Sequence, residues 1–178
     1  MMKRTFLIAI AALACLTSAL SAQAKIQVDL GGGITEPVGR FGDVAKLGWH
    51  GLATFAVVPA GSPIAIQATG YYGENKFDPS GGTFQLLGGL GEIRFDLKAT
   101  EGFGGFALAG FGLMDVKARP TGGGTASDTK TAFDVGAGLR YLVSGKVGLF
   151  AAARYVNVFT AGEDLKFVPV SVGLRLGF

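Results

Sequence analysis

The sequence predicts an all-β protein, an eight-stranded antiparallel up-and-down transmembrane β-barrel. Three observations lead there. The last twelve residues, 167–178, place Val168, Val170, Val172, Leu174, Leu176 and Phe178 on one side of a strand, and Pro169, Ser171, Gly173, Arg175 and Gly177 on the other. Such a strand suits a wall between lipid and a polar interior. In addition, 30 glycines and 49% hydrophobic residues coexist with no apolar run beyond the amino-terminal segment long enough for a spanning helix. Only helices and closed barrels satisfy backbone hydrogen bonds in lipid, so a barrel remains. Finally, the two-faced pattern recurs in seven earlier segments, and the connections between segments alternate long and short.

Taken in order, the chain opens with Lys3 and Arg4, an apolar stretch over 6–13 and the small-x-small triplet Ala22-Gln23-Ala24. That is the layout of a removable signal peptide, 1–24, preceding a barrel domain over 25–178. Cys15 leaves with the signal, so no disulfide, thiol chemistry or cysteine metal site is expected. The signal carries two of the sixteen basic residues and none of the thirteen acidic ones, so the remainder has fourteen against thirteen, a net charge of +1. The basic balance is mostly targeting and argues for no nucleic acid.

The first strand is predicted over 26–34, with Ile26, Val28 and Leu30 opposite Gln27, Asp29 and Gly31, followed by a loop over 35–48. The second, 49–57, ends at Pro59-Ala60-Gly61-Ser62, which has tight-turn chemistry. The third, 64–72, sets Ile64, Ile66 and Ala68 against Ala65, Gln67 and Thr69, and a longer connection spans 73–82. The fourth, 84–97, sets Ile93, Phe95 and Leu97 against Glu92, Arg94 and Asp96, and turns at 98–101. In the fifth, 103–116, Phe106, Leu108, Phe111 and Leu113 do not keep one parity, and a bulge near Gly110 would repair the register. The longest loop, 117–130, carries Pro120 and three consecutive glycines and is expected to be exposed and mobile. The sixth strand, 131–142, sets Phe133, Val135, Ala137, Leu139 and Tyr141 against Asp134, Gly136, Gly138 and Arg140. A turn over 143–146 leads to the seventh, 147–158, with Arg154 inside, and a connection at 161–164 reaches the last strand.

Charges must point inward. Arginine or lysine on the lipid face near the midplane costs about 2–4 kcal/mol. Three such arginines would rival a typical domain's whole stability of about 5–15 kcal/mol. Strand parity places Arg140, Arg154 and Arg175 inside, with Asp29, Glu92, Arg94, Asp96 and Asp134. Asp29, Arg140 and Arg175 lie toward the short-turn ends, where they would meet as an ion-pair network in the lower lumen. Two readings follow: a polar gate on a narrow water path, or mutual neutralisation in an interior that eight strands can fill with side chains. The interior glycines Gly136, Gly138, Gly148 and Gly173 are expected to make room for arginine stems. Phe95, Phe103, Tyr141 and Phe178 gather toward the short turns, and Trp49, Tyr72, Phe133 and Phe159 toward the long loops, as two interfacial belts.

Segments such as Gly136-Ala137-Gly138-Leu139-Arg140-Tyr141, the eight alternating strands, the signal and the ending Val172-Gly173-Leu174-Arg175-Leu176-Gly177-Phe178 resemble the small bacterial outer-membrane β-barrel proteins, and most closely the compact barrels related to the transmembrane domain of outer membrane protein A. The resemblance implies residence in the bacterial cell outer membrane as a monomer, among outer-membrane lipid and lipopolysaccharide. It also implies that Leu174, Leu176 and Phe178 form the signal read by the barrel-assembly machinery. No peptidoglycan-binding domain follows the barrel, so no cell-wall tether is expected, and the modest outer loops do not suggest a large adhesive surface.

The function expected is a non-enzymatic structural or surface-interaction role, with a filled polar lumen, mobile outer loops and no cofactor or metal. The alternatives are a narrow gated channel or small-ligand-binding barrel, and a lipid A-modifying enzyme. The lipid A deacylases resemble one another in a His-x-Ser pair on a late strand. Here the one histidine, His50, is followed by Gly51 and Leu52 on an early strand, with no orienting partner legible in the sequence. A soluble lipocalin-like barrel would have to bury every one of these arginines or invert its strands.

Overall fold

The computed structural model describes residues 24–77, 81–97, 100, 102–160, 162 and 164–178. The expected signal peptide, with Cys15, falls almost wholly outside them, as do parts of the connections at 73–82, 98–101 and 161–164. Eight strands form a closed barrel in sequence order: β1 (Lys25–Val38), β2 (Gly48–Val58), β3 (Ile64–Lys76), β4 (Gly82–Asp96), β5 (Phe103–Pro120), β6 (Ala126–Ser144), β7 (Val147–Val158) and β8 (Leu165–Gly177). Every pairing is antiparallel, and β8 returns to β1 from Gln27↔Gly177 to Val38↔Lys166. Ile26 and Phe178 fasten the end of that seam by exchanging backbone hydrogen bonds of 3.3 and 2.8 Å.

Side-chain alternation decides the two surfaces. Ile66, Ile93, Phe111, Val172 and Leu174 project outward and are half or more exposed. Their same-strand neighbours Gln67, Glu92, Arg94, Ser171 and Arg175 are buried. An apolar exterior around a buried polar interior is the inverse of a water-soluble barrel. Among the described residues no helix is long and apolar enough to cross a membrane, so crossing falls to the strands. On the outside, Trp49 packs against Tyr72 at 5.5 Å, and Phe133 lies 5.7 Å from Phe159 and 6.3 Å from Tyr155, near the long-loop end.

The structure departs from the sequence-based expectation at three places. The fifth strand has no bulge at Gly110: β5 pairs continuously with β4 and β6, and the register shift falls at Leu142/Ser144. Phe106, Leu108 and Met114 break the expected parity because they point into the lumen, where apolar side chains fill space between ionic groups. The expected long loop at 117–130 is largely paired strand, through Gly82↔Pro120 and Ala118↔Ala126, leaving only 121–125 as the connection. β5 and β6 span 18 and 19 residues, where a tilted strand needs about 9–11 to cross lipid, so the hairpin overshoots the membrane. The expected alternation of loop lengths is thus expressed largely as strand overshoot.

The first long connection also gains structure. Beyond Gly39, at φ 61°, a one-turn helix α1 (Arg40–Val44) turns Phe41 down onto the barrel mouth. The Phe41 ring meets Phe84 edge-on at 5.2 Å, and Phe84 stacks on Phe77 at 3.9 Å. Asn75 Nδ2 holds the connection by donating to the carbonyls of Thr35 and Lys46 at 3.1 and 2.9 Å.

Candidate functional site

The interior is built from the inward positions of all eight strands, and its polar groups are arranged in two ionic groups and one neutral chain. Toward the short turns, Asp29 and Arg175 face each other directly across the β1–β8 seam. Arg175 Nε and Nη2 donate to the two Asp29 oxygens at 2.8 and 2.6 Å, a bidentate pairing. Arg94 forks onto Asp96 at 3.0 and 3.1 Å and lies 3.9 Å from Asp29, while Arg140 reaches Asp96 at 2.8 Å. Phe106 sits beneath two guanidiniums, 5.9 Å from that of Arg94 and 5.4 Å from that of Arg175, within cation–π range.

Nearer the long-loop end, Arg154 Nη1 donates to both Glu92 and Asp134, the latter at 3.1 Å. Glu92 and Asp134 come from strands on either side of β5, and the residue between them is Gly110. A Cβ there would stand 2.5 Å from the Gly91 carbonyl oxygen, 2.6 Å from Glu92 Cγ and 3.0 Å from Asp134 Oδ1. Gly110 therefore supplies the room in which two carboxylates share one arginine, which is why a glycine falls there without a bulge. Gln67 joins the two groups, accepting from Arg94 Nη1 at 2.9 Å and donating to Glu92, and Thr69 adds a bond to Glu92 at 2.8 Å. Four arginines and four carboxylates thus neutralise one another, with one excess negative charge in the Glu92–Asp134–Arg154 group and one excess positive in the other.

All eight charged positions singled out in the sequence lie in this connected set. Arg140 meets Asp96 and not Asp29, and the set extends beyond the lower lumen through Gln67. The glycines behave less uniformly: Gly136 accommodates the Arg154 stem, but Gly138 and Gly173 accommodate the rings of Phe106 and Phe150. The expectation that these glycines serve arginines missed the apolar packing. Leu174, Leu176 and Phe178 lie on the outer side of β8 and at its end, with Leu174 and Phe178 50% and 70% exposed.

His50 is not isolated. Its Nε2 lies 2.7 Å from Ser171 Oγ and its Nδ1 3.0 Å from Thr35 Oγ1, which is 2.8 Å from the Tyr71 hydroxyl, and the Tyr71 ring stacks on the imidazole at 5.2 Å. Strand parity marks Thr35, Tyr71 and Ser171 as inward positions, but which of them meets His50 is set by the register of β1, β2, β3 and β8. The chain has the outline of a nucleophile and base, but no carboxylate among the described residues orients the imidazole, and Ser171 and Thr35 are wholly buried. The chain instead satisfies polar groups beneath the apolar layer of Phe41, Phe84, Leu86, Met114 and Phe167.

Between the two ionic groups lies a cavity of about 10 Å³ lined by Asp29, Gln67, Arg94, Phe106, Arg154 and Arg175, among others, room for a single water at most. Among the described residues, no cluster of histidine, cysteine or carboxylate side chains is disposed to hold a metal ion.

A closed antiparallel barrel with a lipid-compatible exterior and strands long enough to cross the bilayer defines an integral β-barrel of the bacterial outer membrane. The chain belongs to the outer membrane protein beta-barrel domain family, whose model matches residues 7–178. Among solved structures it is similar to Neisserial surface protein A, at 18% identity and a TM-score of 0.68, over 88% of this chain and 98% of that one. It is also similar to the attachment invasion locus protein Ail of Yersinia pestis, at 18% identity and a TM-score of 0.57, over 87% and 97%. The amino-terminal barrel domain of Pseudomonas aeruginosa OprF matches at 15% identity with a TM-score of 0.51, over 88% and 98%. No curated protein sequence matches the chain.

Proposed function

We propose that this barrel is a non-enzymatic, solute-tight element of the outer membrane whose working surface is its long-loop end. The observation that carries the reading is the filled lumen: Glu92, Arg94 and Asp134 are at most 3% exposed, and the interior cavity holds about 10 Å³. The apolar layer under α1 adds a second closure at the outer mouth. What remains accessible is the rim of α1 and the β5–β6 hairpin, which carries Lys117, Arg119 and Lys130 among Asp115 and Asp128. Lipopolysaccharide phosphates are the anions such a rim meets first. Ail has been captured with a heparin analogue, sucrose octasulfate, which makes polyanions a sensible probe here. Leu174, Leu176 and Phe178 have the outward placement that a signal for the barrel-assembly machinery needs.

The test is reconstitution of the purified barrel into planar bilayers, with lipopolysaccharide carried through purification measured on the same samples. The expected result is no unitary conductance, and a loss of bound lipopolysaccharide in a Lys117→Gln/Arg119→Gln variant that keeps its fold. Steady conductance steps altered by Arg154→Ala or Glu92→Ala would overturn the solute-tight reading in favour of a narrow gated channel.

A further inference from the structure

At the short-turn end the wall opens into a cleft of about 440 Å³ between the end of β6, the β6–β7 turn and the β1–β8 seam. Its lining includes four cationic side chains, Lys25, Arg140, Lys146 and Arg175, and no aspartate or glutamate among the described residues. Arg140 and Arg175 are engaged with Asp96 and Asp29, whereas Lys25 and Lys146 are exposed and make no ion pair among the described residues.

The backbone fixes where these lysines stand. The Lys146 carbonyl accepts the Gly177 N–H at 2.7 Å, and Lys25 precedes Ile26, which is doubly bonded to Phe178. The two ammonium-bearing residues therefore flank the end of β8 from either side. Arg175 supplies an independent observation. It is 7% exposed and lines the cleft; Nε and Nη2 are both held by Asp29, and Nη1, itself buried, has no hydrogen-bond partner among the described residues. The bidentate pair with Asp29 fixes that guanidinium at the inner side of the cleft, and the exposed Lys25 and Lys146 are the cations an incoming anion can reach.

The other side of the cleft is apolar and continuous with the lipid-facing wall. Tyr141 and Leu149 are paired across β6 and β7, and with Leu142 and Phe178 they are 46–70% exposed. A ligand filling the cleft has cations at one end and the hydrocarbon-facing wall at the other. Inorganic phosphate makes no use of the apolar side, and a zwitterionic headgroup brings its own cation against the lysines. Short turns of outer-membrane barrels face the periplasm, where the leaflet is phospholipid. We infer that this cleft binds the phosphodiester of an anionic glycerophospholipid of the periplasmic leaflet, with the acyl chains lying along the Tyr141–Leu149 face.

The test is native mass spectrometry of the full barrel extracted from outer membranes in mild detergent, titrated with phosphatidylglycerol or phosphatidylcholine. The wild type should favour phosphatidylglycerol by about fivefold or more, and Lys25→Gln/Lys146→Gln should lose that preference, in line with the attraction of anionic lipid to each basic side chain near a membrane surface. Lys76→Gln, an exposed lysine at the opposite end, should keep it. Heat-dependent electrophoretic mobility reports whether each variant is folded; if the double variant is not, Lys146→Gln alone, in an exposed turn, decides the matter by the same loss. No preference in the wild type, or its retention in the folded lysine variant, overturns the inference. So does equal loss in Lys76→Gln, which would make the effect one of overall charge. Inorganic phosphate that binds the cleft while phosphatidylglycerol shows no advantage would overturn the lipid assignment and leave a free-phosphate site.

Discussion

Replacing Arg154 by methionine tests how the interior is held. Arg154 is the cation shared by Glu92 and Asp134, and all three side chains are at least nine-tenths buried. Its loss changes the formal charge of that group from −1 to −2 in a space that admits at most one water. Breaking a buried pair by removing one partner costs about 3–5 kcal/mol, whereas replacing the whole set by apolar or neutral groups is often near neutral. With a urea dependence of about 2 kcal/mol per molar, the midpoint of unfolding in micelles should fall by about 2 M. Trp49, the one tryptophan, lies on the outer face and reports the transition by fluorescence. The Glu92→Gln/Asp134→Asn/Arg154→Met variant should recover most of the loss. A single-variant shift below about 0.5 M, or a triple variant no more stable than the single, would refute the view that buried carboxylate charge is what Arg154 offsets.

Two further outcomes follow from close contacts. Gly110→Ala should destabilise the barrel by about 1–3 kcal/mol, because its Cβ meets backbone and the Glu92 stem, while Gly89→Ala, with nothing within 4 Å, should be near neutral; thermal loss of the compact electrophoretic band separates them. His50→Ala strands the buried Ser171 hydroxyl and leaves that of Thr35 with Tyr71 alone, and should cost about 1–3 kcal/mol in the same urea assay. Lipid A mass profiles from cells carrying His50→Ala should match those of the wild type, and a difference seen in both this variant and a deletion strain would revive an enzymatic role.

Most of the fold was legible because lipid enforces alternation: an outward charge is costly, so parity in β1, β4, β6 and β8 assigns Asp29, Glu92, Arg94, Asp134, Arg140 and Arg175 without knowledge of neighbours. The fifth strand resisted for the converse reason. Burying Phe106 and Leu108 in the lumen costs nothing, so inward positions can be apolar while outward ones cannot be charged, and the pattern constrains one face only. Register was the other obstacle. That Glu92, Gly110 and Asp134 stand side by side, or that Ser171 meets His50, depends on strand offsets that side-chain parity does not carry. Strand ends were illegible at the hairpin of β5 and β6, where polar, glycine-rich sequence has the composition of a loop but pairs once it leaves the membrane.

The seam between β1 and β8 also sets an order of events. Asp29 and Arg175 are 146 residues apart in sequence, so their bidentate bond forms only when the first and last strands meet. The cost of joining ends grows slowly with the length enclosed, but contacts this remote return nothing until almost the whole chain is in place. Until then both edges offer unpaired backbone groups to any neighbouring strand. Closure is therefore the step at which the chain ceases to be an open ribbon prone to association, and the Asp29–Arg175 pair is a latch whose formation marks the moment of commitment.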